Sequence, residues 1–250
     1  MSILLAGVDG CPEGWIVAYA HLNFSDTQFV VLYDFSDVLA LNASIIVVDV
    51  PIGLPAVSGF CDKGGRAAEF DVRQLLGVRR STVFSTPSRK AVYAEVGPFD
   101  SLKAKLAAHQ RACAVAQRTS NPPRRIAIQA FSIFEKIRQV DQLLLSDASL
   151  RSRVYESHPE LAFRQMNGGH PILQPKKTVE GQLARRGCLM GAGFSPTTVE
   201  TAPPKGAGTD DQIDALACLF VAQRIHEGKA KSFPAPPLSD EFGLPMAIWA

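Results

Sequence analysis

Asp9, Asp49, Asp211 and Asp214 stand out in this chain because their settings make a negative charge expensive. Ile3-Leu4-Leu5-Ala6-Gly7-Val8 runs into Asp9, and Ile45-Ile46-Val47-Val48 runs into Asp49. Apolar runs of this kind read as strands buried on both faces. A carboxylate at the mouth of such a strand is costly unless a cation meets it. Glu156, after Val154-Tyr155, repeats the arrangement at a third candidate strand. Asp211 and Asp214 lie three apart on a candidate helix, so they share a face and can point at one centre. Four or five oxygen ligands of this kind suit Mg2+ or Mn2+ rather than zinc.

Each of these residues also has a plainer reading. Asp9 and Asp49 can simply end a strand and begin a turn. Asp210 and Asp211 can complement the dipole of a helix that Thr209 and Gln212 open as a capping box. His158 can be a general base or proton shuttle, or a histidine bonded near a helix start. Glu160 can be a first-turn charge on that same helix. None of the usual phosphate-loop, dinucleotide or serine-elbow motifs is present.

The elements that must position the carboxylates can be read from spacing. Residues 3–9, 14–20 and 28–33 form three strands, the first two joined by a short Gly/Pro turn and therefore antiparallel. A helix of about two turns spans 34–41 and leads to the strand at 45–49, expected to be buried and parallel. Residues 51–65 are loop, rich in Pro and Gly. Helices follow at 66–76, with Gly77 as a C-terminal cap, then at 100–117 and 131–145. A short strand covers 153–156, and a helix starts at His158-Pro159. Further helices span 176–190 and 209–227. The tail Phe233-Pro234-Ala235-Pro236-Pro237 reads as irregular.

The chain has 250 residues, 46% of them hydrophobic, enough for one large domain or two small ones. Its net charge of +2 gives no global basic field that would advertise nucleic acid. Basic pairs at Arg79-Arg80, Arg89-Lys90, Arg124-Arg125, Lys176-Lys177 and Arg185-Arg186 are local, and each reads most simply as a solvated helix end or loop. Five scattered cysteines form no C-x-x-C pair, which argues against structural zinc and for a reduced, cytoplasmic compartment. Cys113, Cys188 and Cys218 read as small core residues. The opening residues lack a basic leader, and no apolar stretch reaches membrane-spanning length, so no membrane partner is expected.

Taken in order, several of these segments resemble one family. Gly7-Val8-Asp9-Gly10-Cys11 with Gly14-Trp15, and Val48-Asp49-Val50-Pro51-Ile52-Gly53-Leu54, are similar to domain-of-unknown-function family 429. The likeness continues through residues 66–73, Leu76-Gly77, Ser81-Thr82-Val83-Phe84 with Pro87, residues 156–160 and residues 210–215. One departure is visible: the acidic residue matched to Asp71 is commonly preceded by cysteine, and Phe70 stands there.

The resemblance implies an α/β ribonuclease H-like fold: a mixed five-stranded sheet flanked by helices, in a single domain over 1–250. Residues 51–150 would be a mainly helical insertion between strands four and five that covers the site and selects the substrate. It further implies a metal-dependent nuclease or phosphodiesterase with Mg2+ or Mn2+ as cofactor and nucleic acid as partner. Asp9, Asp49, Asp211 and Asp214 would hold two ions about 4 Å apart, and Glu156 is an additional catalytic candidate. Arg66, Arg73, Arg79, Arg80, His158 and Lys176 are the expected substrate contacts. Two other readings stay open: a nucleotide-binding phosphotransferase of the actin or sugar-kinase type, and a non-catalytic nucleic-acid-binding scaffold. The sequence leaves the oligomeric state open, a homodimer included.

Overall fold

Alternation along β1 (Leu4–Cys11) divides the protein into two layers. Successive strand side chains point to opposite faces. Ala6 and Val8 therefore enter one buried cluster, while Leu5 enters another on the far side. The computed structural model describes residues 3–59 and 64–250.

β1 pairs antiparallel with β2 (Gly14–His21), which pairs antiparallel with β3 (Gln28–Leu32). After the short helix α1 (Phe35–Ala40), β4 (Ile45–Val48) lies parallel to β1 on its other side. This meander and parallel crossover agree with the sequence reading. Between β4 and β5 (Val154–Ser157), the regular elements among the described residues are helices, joined by loops that make one isolated β-bridge, Ser58 to Ser120. The helices are α2 (Ala67–Leu76), α3 (Arg89–Val92), α4 (Leu102–Arg118), α5 (Ile128–Ser132) and α6 (Phe134–Ser146), with two short 3-10 helices at Gly77–Thr82 and Ala148–Ser152. Gly77 ends α2 with a positive φ of 51°, and its N–H bonds to the Arg73 carbonyl.

α7 (Pro159–Met166), α8 (Val179–Gly191), α9 (Pro196–Glu200) and α10 (Thr209–His226) follow, and the chain returns as β6 (Ser232–Ser239) and β7 (Pro245–Trp249). The sheet order is β3-β2-β1-β4-β5-β7-β6, so the expected five strands are seven. The Pro-rich tail read as irregular is β6. It is an edge strand, antiparallel to β7 alone and irregular between Phe233 and Leu238. Proline is tolerated there because its missing N–H can face away from the ladder.

The helices cover both faces. Phe131, Phe134 and Ile137 of the β4–β5 segment pack with Val8, Trp15, Ile46 and Val48 on one side. On the other, α10 is buried almost all round, as a central helix must be, and lies across β1, β2 and β4. Its backbone touches the sheet at Gly7. A Cβ on Gly7 would lie 2.0 Å from the Leu219 nitrogen and 2.2 Å from the Ala215 oxygen. Only glycine permits that approach, and it brings the start of α10 down to the strand ends. Among the described residues, no helix is long and apolar enough to cross a membrane. Cys11, Cys113 and Cys218 are buried and Cys188 is partly exposed, all four as free thiols. Cys61 lies outside the described residues.

Candidate active site

Register decides which carboxylates can meet. Val8 pairs with Val48, and the Asp49 N–H donates to the Val8 carbonyl at 3.1 Å, so Asp9 and Asp49 leave neighbouring parallel strands side by side. Both follow the odd-numbered face of Leu5 and Val47, which is the face under α10. α10 then brings Asp214 down from above. Asp9 and Asp214 are only 8% and 4% exposed. The Gly10 N–H donates to Asp9 Oδ1 at 2.7 Å.

The three acids repel one another in a dry setting. Burial, then the charges of Asp49 and Asp214, hold the Asp9 carboxyl well above its ordinary range. Burial pushes Asp49 up to about 7 and Asp214 to about 6, against the pull of the Lys176 ammonium. Asp211 stands at the rim. Its Oδ2 accepts from the Gly208 N–H at 2.9 Å, so Gly208 rather than Thr209 caps α10. Burial raises its carboxyl too.

The cation these acids face is Lys176. Its Nζ lies 2.7 Å from Asp214 Oδ2 and 3.9 Å from Asp210 Oδ2. Although burial opposes it, the Asp214 charge holds the amine protonated above its ordinary value, and Asp9 and Asp49 add to that. Lys136 on α6 was not apparent from the sequence. Its stem crosses Gly10, where a Cβ would meet it at 2.7 Å. Its ammonium donates to the Gly14 carbonyl and lies 4.7 Å from the centre of the Trp15 ring. Burial lowers its pKa, while Cys11, Asp9 and Asp211 act to raise it. Nothing in the local Glu135-Lys136-Ile137 pattern signals this, because the contact exists only once α6 packs over the β1–β2 turn.

Glu156 does not join the cluster. It pairs with Val48 in the β4–β5 register and so faces the opposite side of the sheet from Asp49. There it closes a buried clasp with Arg66, Nη2 to Oε1 at 2.5 Å and Nη1 to Oε2 at 2.9 Å. The Arg66 Nη2 also lies 2.5 Å from Glu69 Oε1, and its Nη1 donates to the Ile52 carbonyl at 2.6 Å. Arg66 is 3% exposed, and its hydrogen bonds are spent inside the fold.

The other expected substrate contacts are similarly engaged, with one exception. Arg73 donates to the Val83 carbonyl and to Ser85 Oγ. Arg79 and the buried Arg185 both reach Glu160 Oε1, at 3.1 and 2.5 Å. Arg80 is exposed on the 3-10 helix. His158 Nε2 lies 3.3 Å from the Thr82 carbonyl, while its Nδ1 is buried without a hydrogen-bond partner. Burial lowers its pKa and keeps the ring neutral.

The family model described as "Protein of unknown function (DUF429)" matches residues 7–239. The chain belongs to the DUF429 family. No curated protein and no solved structure matches it. In this DUF429 chain the donor set suits a hard divalent ion in kind, being oxygen-only and short of positive charge. It is not arranged around one point: among the described residues, no three His, Cys, Asp or Glu side chains are grouped to hold an ion.

The acidic cluster has a measurable stability signature. A carboxyl whose pKa moves from 3.8 unfolded to about 7 folded binds its proton more tightly in the native state. Its cost is absent below the unfolded value, grows as pH rises through that window, and is complete above about 7. We expect Asp49→Asn, which has no proton to release, to gain in melting temperature over the native protein. In metal-free buffer that gain should widen by roughly 5–10 °C between pH 5 and pH 8. A gain that stays constant across this range rejects the assignment.

Proposed function

We propose that this DUF429 protein is a metal-dependent phosphodiesterase of ribonuclease H-like fold that acts on nucleic acid. One observation carries the reading: Asp9, Asp49 and Asp214, from three distant parts of the sequence, lie near enough to act on one another electrostatically at the carboxyl ends of β1 and β4, beneath the start of α10. The β3-β2-β1-β4-β5 portion supports the fold assignment, with an antiparallel meander, two parallel strands and the first acid on a central strand. Ligands in open α/β sheets bind beyond the carboxyl ends of the strands.

Asp9, Asp49 and Asp214 would hold the ion, with Asp211 at the rim. When bound, a divalent ion supplies the Lewis acidity that activates water and stabilises a leaving oxygen. The chain's own part is to place the ligands, keep the floor dry with the buried Cys218, and set cations around the approach. Lys136 stands on the side of the β1–β2 turn, Lys176 on the side of α8. His158 lines a small cavity together with Asp49, its ring held neutral by burial.

One feature favours the non-catalytic alternative: Lys176 already neutralises part of the cluster. A cleavage assay separates the two readings. Labelled single- and double-stranded DNA and RNA oligonucleotides, and bis(4-nitrophenyl) phosphate, are incubated with the protein in Mg2+ or Mn2+ and in EDTA. We expect cleavage that requires the metal. Intact substrates throughout, from folded protein, reject the hydrolase reading.

A further inference from the structure

The basic pair Arg124-Arg125 stands apart from the acidic cluster and lines a cavity of about 400 Å³. A space of that size falls in the range of small-molecule sites. Its floor is apolar, with Pro87 and Ile126 buried and the Phe84 ring partly exposed. No Asp or Glu among the described residues lines it. The two walls come from distant segments and are tied together through Ser58. Its N–H donates to the Thr119 carbonyl, and its carbonyl accepts from the Asn121 N–H, both at 2.9 Å. Its hydroxyl donates to the Thr86 carbonyl at 2.7 Å, on the segment that carries Phe84 and Pro87.

Hydrogen bonding leaves this space lined with donors. A hydroxyl has one hydrogen to give and lone pairs to receive. Ser85 Oγ accepts from Arg73 Nη2 at 2.9 Å, and Ser120 Oγ accepts from the Arg124 N–H at 2.8 Å. Among the described residues neither hydroxyl donates to a protein atom, so each keeps its hydrogen for a ligand. The Arg73 guanidinium polarises Ser85 further in that sense. Arg125 forms no hydrogen bond or ion pair among the described residues, and it brings a permanent charge on a planar fork of donors. Two hydroxyls and a guanidinium, with no carboxylate beside them, suit the oxygens of a phosphate. Phe84 also lines the small cavity that holds Asp49 and His158, so the two spaces share a wall.

We propose that this cavity binds a nucleoside monophosphate unit, free or within a strand. The phosphate meets Arg125, Ser85 and Ser120, and the base lies against Phe84 and Ile126. Binding needs no metal ion. The choice of a nucleotide over other phosphate esters rests on the nucleic-acid reading above, whereas the phosphate pocket does not.

Calorimetric titrations in EDTA test it. The native protein should bind AMP saturably and at least fivefold more tightly than ribose 5-phosphate, the lower end of what stacking a base on an aromatic ring supplies. Arg125→Gln, a change at an exposed position, should weaken AMP binding at least tenfold and leave the melting temperature unchanged. A short single-stranded oligonucleotide separates the two sources. Binding of AMP alone marks a free nucleotide, and binding of the oligonucleotide that Arg125→Gln weakens tenfold marks a strand. Equal affinity of Arg125→Gln overturns the proposal, as does the absence of saturable binding of both ligands to the native protein. AMP bound no more tightly than ribose 5-phosphate overturns the base contact. If the glutamine variant fails to fold by circular dichroism, the native protein supplies the answer. Phenylglyoxal modification of Arg125, followed by peptide mass spectrometry, should slow at least threefold in saturating AMP or oligonucleotide, and an unchanged rate overturns the idea. Nucleotide binding without any cleavage rejects only the hydrolase reading. Metal-dependent cleavage without nucleotide binding in EDTA rejects only the pocket.

Discussion

Asp9→Asn is expected to cripple the proposed metal-dependent hydrolysis, lowering kcat by about 10²–10³-fold, a loss of the size seen when one preorganised electrostatic group is removed from a site. The same substitution should not weaken the fold. Asp9 is buried, faces Asp49 and Asp214, and is held well above its ordinary pKa, so its negative charge opposes folding near neutral pH. An asparagine of the same shape keeps an acceptor for the Gly10 N–H and removes the repulsion. The melting temperature in EDTA should therefore rise. Lost activity together with a higher melting temperature marks a residue retained for chemistry at a cost in stability. Retained hydrolysis rejects the assignment, and a melting temperature lowered by several degrees identifies Asp9 as structural.

Glu156→Gln is expected to do the reverse. Burial raises the Glu156 carboxyl to about 7, but unlike Asp49 it holds a guanidinium in a bidentate clasp, and breaking a buried pair leaves the Arg66 charge uncompensated at a cost of roughly 3–5 kcal/mol. The lower end applies because Glu69 still faces the guanidinium. For a chain of this length, about 3 kcal/mol is a fall of roughly 6–12 °C in melting temperature. Activity per folded molecule should stay within about threefold of native, since the clasp lies across the sheet from Asp49. If Glu156→Gln instead removes activity while the melting temperature holds, Glu156 belongs to the catalytic set. Thermal melts and initial rates on Asp9→Asn and Glu156→Gln side by side give opposite patterns or they do not.

These two carboxylates also show what the sequence can and cannot convey. Asp9 and Asp49 were legible because both-face burial writes an uninterrupted apolar run, and an acid at its end breaks the pattern conspicuously. Glu156 ends a run in the same way, and from one strand alone nothing distinguishes it. Its side is fixed by the pairing of Val48 with Glu156, a long-range register that residue spacing does not encode.

β6 was missed for a related reason. Three prolines within Ser232–Ser239 argue against a strand in the middle of a sheet, but an edge strand with one neighbour needs few of its donors. The first turn of α10 was read nearly correctly, with the cap displaced by one residue from Thr209 to Gly208. Lys176 was found as a basic residue and expected to meet phosphate, while its pairing with Asp214 needs α8 and α10 to be packed first. Lys136 left no trace at all, since its partner is a backbone carbonyl across 122 positions of sequence.

The close contact of α10 with β1 at Gly7 has a consequence for the timing of synthesis. The strand carrying Asp9 leaves the ribosome well before the helix that completes the acidic centre. At roughly 5–20 residues per second, Asp214 follows Asp9 by roughly 10–40 s. Throughout that interval the groove over Gly7 has no helix to fill it, and Asp9 stands in water as an ordinary aspartate. The buried acidic centre therefore exists only after α10 has packed against β1 at Gly7.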